Sequence, residues 1–143
     1  MNEYLLTLAL GPVQEFIAAA RKTRDLWFGS HMLSEISKAA ARSLQDDGAQ
    51  LIFPAPDSDD LLEPESEFLV PNRVLALLTN GKDPSQLAQR ARQAAQERWR
   101  AFADSALQYA GKDAVNPDLW DSQIDDVIEF YAAWVPFAAD KAD

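Results

Sequence analysis

The chain has 143 residues, of which 13 are Lys or Arg and 23 are Asp or Glu, for a formal net charge of −10, with one His and no Cys. A domain of this length buries roughly 70% of its unfolded surface, and a hydrophobic content of 48% offsets the entropy of ordering, which excludes a disordered chain. Disulfides and cysteine-based metal sites are excluded, the apolar stretches stop short of the ~20 residues a bilayer crossing needs, and residues 1–10, with Glu3 and no basic segment, do not read as a secretory signal.

A cytoplasmic protein with no membrane partner is therefore the expectation. Residues 4–10 (YLLTLAL) form a short apolar run stopped by Gly11-Pro12, the length and punctuation of a buried strand. From Val13 the period changes. Val13, Phe16, Ile17, Ala20 and Arg24 recur at three- and four-residue intervals, and Pro12 suits a first helical turn, where its missing N–H has no partner to lose. Gly29-Ser30 is expected to interrupt this helix, with Ser30 as N-cap of a second one that carries Leu33, Ile36, Ala40 and Leu44 as far as Asp46-Asp47-Gly48.

Residues 50–53 (QLIF) read as a strand closed by Pro54-Ala55-Pro56, and residues 54–70 as an acidic loop insertion too charged and proline-broken to pack. Residues 73–79 (RVLALLT) are a further strand, ended by the Asn80-Gly81 turn. Asp83-Pro84 caps a long helix to about Ala110, with Leu87, Ala91, Ala95, Trp99, Phe102 and Ala106 on one stripe. Its Arg90, Arg92, Arg98 and Arg100 read as a solvated polar face. Asn116-Pro117 starts a helical turn to about Asp126. Residues 128–137 (IEFYAAWVPF) then carry aromatic residues on both faces, as an interior strand or one covered by a partner does. The order strand, helices, strand, strand, helix, strand predicts an α+β fold: a ferredoxin-like split βαβ sandwich, its antiparallel sheet covered on one face by helices, with 1–143 as a single domain.

The charge is segregated. Residues 57–67 hold Asp57, Asp59, Asp60, Glu63, Glu65 and Glu67 with no base, and the acids after Lys112, which include Asp140 and Asp143, are opposed only by Lys141. Twelve of the 13 bases lie between Arg21 and Lys112, so a local basic face is compatible with an acidic whole. No GxxxxGK[ST] loop, GxGxxG, HExxH or Cys nucleophile occurs. His31 is alone, which rules out a multi-histidine nuclease site in this chain and makes it a helix-start or surface residue. The acidic pairs Asp46-Asp47, Asp59-Asp60 and Asp125-Asp126 read as solvated turns. A turn from strand to helix at Gly11-Pro12-Val13-Gln14 does present free backbone N–H groups, a place where phosphate binds.

The run GPVQEFIAAARKTRDLWFGSHMLS, residues 11–34, closely resembles the signature of the large subunit of type III-B (Cmr) CRISPR effector complexes, the CRISPR polymerase-cyclase family. Trp120 and the run QIDDVIEFYAAWVPF after it resemble the strand that closes the first palm-like region in that family. The resemblance implies an N-terminal palm-like module of a longer antiviral protein, whose second palm carries a Gly-Gly-Asp-Asp metal site that makes cyclic oligoadenylates from ATP. This chain has no such motif, and its first strand ends Ala9-Leu10-Gly11 without a metal-binding acid, so it is expected to be inactive alone.

By motif position, the resemblance implies that Gly11, Pro12, Val13, Gln14 and Ser30 bind nucleotide, and that Arg21, Arg24, Asp25 and Trp27 frame the junction or meet a neighbouring domain. No catalytic or metal-binding residue is expected in the chain. ATP with a divalent metal is expected only for the full-length protein. The implied partners are the remaining domains of the same subunit, the other Cmr subunits, and, through the complex, crRNA and target RNA. Two other readings rest on the acids: an interaction module that mimics nucleic acid, and a small Mg²⁺-dependent phosphoesterase, for which no base or nucleophile is at hand.

Overall fold

The computed structural model describes residues 2–138, so Asp140, Lys141 and Asp143 of the acidic C-terminal run lie outside the described residues. β1 (Glu3–Gly11) shows the period of a half-buried strand: Leu6, Leu8 and Leu10 are buried while Thr7 between them is exposed. It lies between β3 (Arg73–Leu78) and β4 (Glu129–Phe137), with β2 (Gln50–Phe53) outside β3, so the sheet order is β2-β3-β1-β4 and every neighbouring pair is antiparallel.

Two long helices, α2 (Thr23–Asp46) and α3 (Pro84–Ala110), complete the core on one side of this sheet. Ile36, Ala40, Ala41 and Leu44 of α2 and Leu87, Ala91 and Ala95 of α3 pack with Leu6, Leu8, Leu10, Val74, Ala76 and Leu78. The opposite side, with Leu5, Ala9, Leu75 and Leu77, is only half-buried. Capping sets the helix starts. The Asp83 carboxylate accepts from the Ser85 and Gln86 N–H groups at 2.9 and 3.4 Å, and Asn116 accepts from Asp118 and Leu119 at 3.1 and 3.2 Å to open α4 (Pro117–Asp125). Each such cap is worth about 1 kcal/mol. Among the described residues no helix is long and apolar enough to cross a membrane.

Several expectations are corrected. Gly29-Ser30 does not break a helix. The break is at Ala20-Arg21-Lys22, between α1 (Val13–Ala19) and α2, and Ser30 is an interior residue of α2 rather than an N-cap. There the Lys22 N–H donates to the Asp25 carboxylate at 3.1 Å, so Asp25 closes the first turn. Gly29 is buried where α1 crosses α2, and a Cβ there would meet Phe16 Cβ at 3.7 Å, an ordinary van der Waals contact, so the crossing tolerates a small side chain.

Residues 54–70 do pack. Their acids face outward, but Pro54, Leu62 and Val70 are buried, Leu62 and Val70 within the core, and Phe68 leans against it. β4 is an edge strand, not an interior one. It pairs with β1, and the helices α3 and α4 return the chain to the free margin of the sheet, leaving Tyr131 64% exposed and Val135 also open.

Candidate functional site

The end of β1 is held where the loop before β3 passes it. The Leu10 N–H donates to the Asn72 carbonyl at 2.9 Å, and the Asn72 amide returns a bond to the Leu10 carbonyl at 3.3 Å. Gly11 is buried there and is paired in register with Glu129 of β4. A Cβ at Gly11 would come within 3.0 Å of a Glu129 carboxylate oxygen. Sequence reasoning found no acid at this strand end because the carboxylate arrives from a strand 118 positions later (129 − 11).

After the extended Pro12, which offers no side-chain cap, α1 begins at Val13. Val13 and Ser30 line a cleft of about 320 Å³ together with Leu33, Val70 and Asn72. The same two residues also border a smaller hollow of about 180 Å³ with Phe16, Ile17 and Gly29. The cleft wall is fixed by the Val70 N–H, which donates to Ser34 Oγ at 2.9 Å. Of the residues singled out in the sequence, the structure brings Val13 and Ser30 onto one cleft; Gly11 and Pro12 precede Val13 in the chain without lining it, and Gln14 is exposed.

Arg21, Arg24, Asp25 and Trp27 stand away from the cleft on the α1–α2 elbow. Arg21 and Arg24 are exposed, and Arg24 Nε lies 3.7 Å from the Asp25 carboxylate. The Trp27 indole stacks on the His31 imidazole at 5.6 Å with an interplanar angle of 4°. His31 is mid-helix and largely covered rather than at a helix start. Among the described residues no group of three or more His, Cys, Asp or Glu gathers as a metal site.

The strongest polar feature was not legible beforehand. Lys38 and Glu35 of α2, 1% and 2% exposed at their side chains, form an ion pair with Nζ 2.6 Å from Oε1. Lys38 also donates to the Ser66 carbonyl and hydroxyl at 3.0 and 2.9 Å. The second Glu35 oxygen accepts from the Glu65 N–H at 3.0 Å and from Arg98 at 2.9 Å. Arg98 reaches Glu65 as well and lies over the Phe102 ring at 4.5 Å, so it is not part of a freely solvated face. Other acids are engaged too: Glu63 by Arg42 at 2.6 Å, Asp59 by Gln45, Asp47 by Arg90 at 2.7 Å, and Asp121 and Asp125 by Arg100 at 2.6 and 2.7 Å.

Burial raises the Glu35 pKa, but bonds from Lys38, the Glu65 N–H and Arg98 outweigh it and hold the carboxyl below its ordinary value. A depressed folded pKa contributes stability above the unfolded value of about 4.3 that is lost as pH falls through the folded value. The stability gap between the native chain and Glu35→Gln, measured by urea unfolding, is therefore expected to be widest near neutrality and to shrink below about pH 4. A gap constant with pH would remove this linkage.

The model of the family described as "CRISPR-associated protein Cmr2, N-terminal" matches residues 5–104. The chain belongs to the Cmr2 N-terminal family. The match covers β1 to most of α3, and so contains the Gly11–Gln14 turn, the elbow and the buried ion pair, while α4 and β4 lie beyond it. A comparison with curated proteins returns no match.

Proposed function

We propose that this chain is the first palm-like module of a type III-B (Cmr) CRISPR effector large subunit, a cytoplasmic antiviral assembly. In this reading it is non-catalytic alone, forms one wall of an ATP pocket, and meets the remaining domains of the subunit, the other Cmr subunits and, through them, crRNA and target RNA. The observation that carries the reading is the Cmr2 N-terminal family match over residues 5–104. The palm-like, ferredoxin-like description is favoured by the strand order β2-β3-β1-β4, in which β3 separates β1 from β2 and α2 and α3 make the two crossovers.

The nucleotide role is favoured by the meeting of Val13 and Ser30 on one cleft beside the Gly11–Gln14 turn. ATP would bring the phosphates and, with a divalent metal, the charge for phosphoryl transfer. The chain's own residues position: the turn offers backbone N–H groups and Ser30 a hydroxyl. Glu129 beside Gly11 disfavours a phosphate that carries no cation. A nucleic-acid mimic fits less well, because Glu63, Glu65, Asp121 and Asp125 already pair with arginines of the same chain.

The test joins two measurements. Purified alone with ATP and Mg²⁺, the chain is expected to release no oligoadenylate, and clear product would overturn the non-catalytic reading. In the complete large subunit, Ser30→Ala is expected to slow oligoadenylate synthesis about tenfold or more, the worth of one hydrogen bond to a charged group. Unchanged synthesis would remove Ser30 from the pocket.

A further inference from the structure

We infer that the α1–α2 elbow is a direct binding surface for single-stranded RNA, which stacks an unpaired base on Trp27 and lays its phosphates along Arg21, Lys22 and Arg24. This deepens the proposed role, which supplies RNA only through the complex, by assigning a contact to this chain itself. Trp27 is 68% exposed. One face is stacked against His31 at 5.6 Å, and His31 is held in turn: its Nε2 lies 3.4 Å from Glu65, and Phe28 and Phe102 approach its ring at 6.2 and 6.4 Å. Phe28 and Phe102 meet edge-to-face, and Arg98 covers Phe102 at 4.5 Å. The indole is therefore a largely exposed plane backed on one side by His31. A ring already oriented loses little freedom when a base settles on it.

The charge beside it has the right sign in a chain of the wrong one. Arg24 and Trp27 are three residues apart on α2 and share a face, and Arg21 and Lys22 are exposed in the turn just before it. The one acid of this stretch, Asp25, is exposed, accepts from the Lys22 N–H and lies 3.7 Å from Arg24 Nε, so it offsets part of the Arg24 charge. Aromatic planes flanked by cations are how proteins hold single strands, because every unpaired base offers a π-face and every linkage a phosphate. A duplex hides those faces in its own stack. Ile17, Leu26 and Phe28 are also part-exposed here, but a purely apolar partner would leave the exposed Arg21 and Lys22 charges unused, which argues for nucleic acid over an apolar protein surface.

The experiment uses the whole chain and a labelled, unstructured oligouridylate of about 16 nucleotides at about 50 mM salt, read by anisotropy. Binding is expected, weaker for a duplex RNA of the same length. Trp27→Ala is expected to lose about 5- to 100-fold in affinity, Trp27→Phe much less, and Arg24→Glu to weaken binding and flatten its salt dependence. Trp134→Ala, at an exposed tryptophan on β4, is expected to leave the affinity unchanged, and because Trp27→Ala and Arg24→Glu are read by RNA affinity while Ser30→Ala is read by oligoadenylate synthesis, a failed nucleotide pocket and a failed RNA surface are told apart.

Urea unfolding checks that each variant is folded, and the Arg24→Glu arm reads the surface if Trp27→Ala is not. Affinity within twofold of native for both Trp27→Ala and Arg24→Glu, equal binding of duplex, or no binding by the native chain would overturn the inference.

Discussion

Replacing Lys38 by Met is expected to lower the free energy of unfolding by about 3–5 kcal/mol, the usual cost of stranding one member of a buried ion pair. Lys38 and Glu35 are both almost wholly buried, and Met fills the lysine stem's volume without its charge. What remains is a carboxylate, 2% exposed, held only by Arg98 and the Glu65 N–H, together with a Ser66 carbonyl and hydroxyl that have lost their donor. Against a total stability of roughly 5–15 kcal/mol for a domain, that is a large share.

The sharper test is the double variant. Glu35→Leu with Lys38→Met removes both charges, and most of the loss is expected to return, because paired burial contributes little beyond its own desolvation cost. An unfolding free energy for Lys38→Met within about 1 kcal/mol of native, or a double variant less stable than either single one, would sink this account. The effect should also reach the cleft. Ser66 anchors the segment that continues through Leu69 and Val70 to Asn72, which forms the wall opposite Ser30.

How much of this was legible beforehand depends on whether a signal was local. The strands at Leu6-Leu8-Leu10 and Val74-Ala76-Leu78 announce themselves by alternation, and Asp83-Pro84 and Asn116-Pro117 mark helix starts with side chains that do cap. Where two local signals competed, the reading failed. Gly29-Ser30 has the composition of a break, but a glycine in a helix costs only about 1 kcal/mol, and the buried face of α2 runs through Gly29 to Leu33 and Ile36 without interruption. The place of β4 at the sheet margin was hidden for another reason. Tyr131 and Trp134 look like core residues in sequence, and only the pairing order shows that β4 has one neighbour.

The site divides the same way. Val13 and Ser30 lie in one short motif, so their meeting on one cleft follows from a strand, a turn and two helices in succession. Glu129, which meets Gly11 only through sheet register, had no local trace. The Lys38–Glu35–Arg98–Ser66 network was missed because residues 54–70 were read by their charge. Glu35 and Lys38 are three apart between the buried Leu33, Ile36 and Ala40, a placement that asks for a partner, but Ser66 and the Glu65 N–H come from the acidic segment and Arg98 from α3.

The alternation of β1 yields the other large expected effect. Leu8 is fully buried, paired in register with Val74 and Ala132, and packs in the core with α2 and α3 residues; Leu8→Ala is expected to cost about 2–5 kcal/mol, since the strands on either side restrain collapse of the cavity. Thr7, its neighbour, points to the open side of the sheet, and Thr7→Ala is expected to stay within about 0.5 kcal/mol. The contrast is what a fixed register demands, because a slip by one residue would exchange the two faces and with them the two costs. Urea unfolding of both variants at several protein concentrations gives the comparison. Equal costs would refute the register. A Thr7→Ala loss that grew with concentration would show instead that the half-buried face of Leu5, Leu75 and Leu77 is covered in solution by a second copy of the chain.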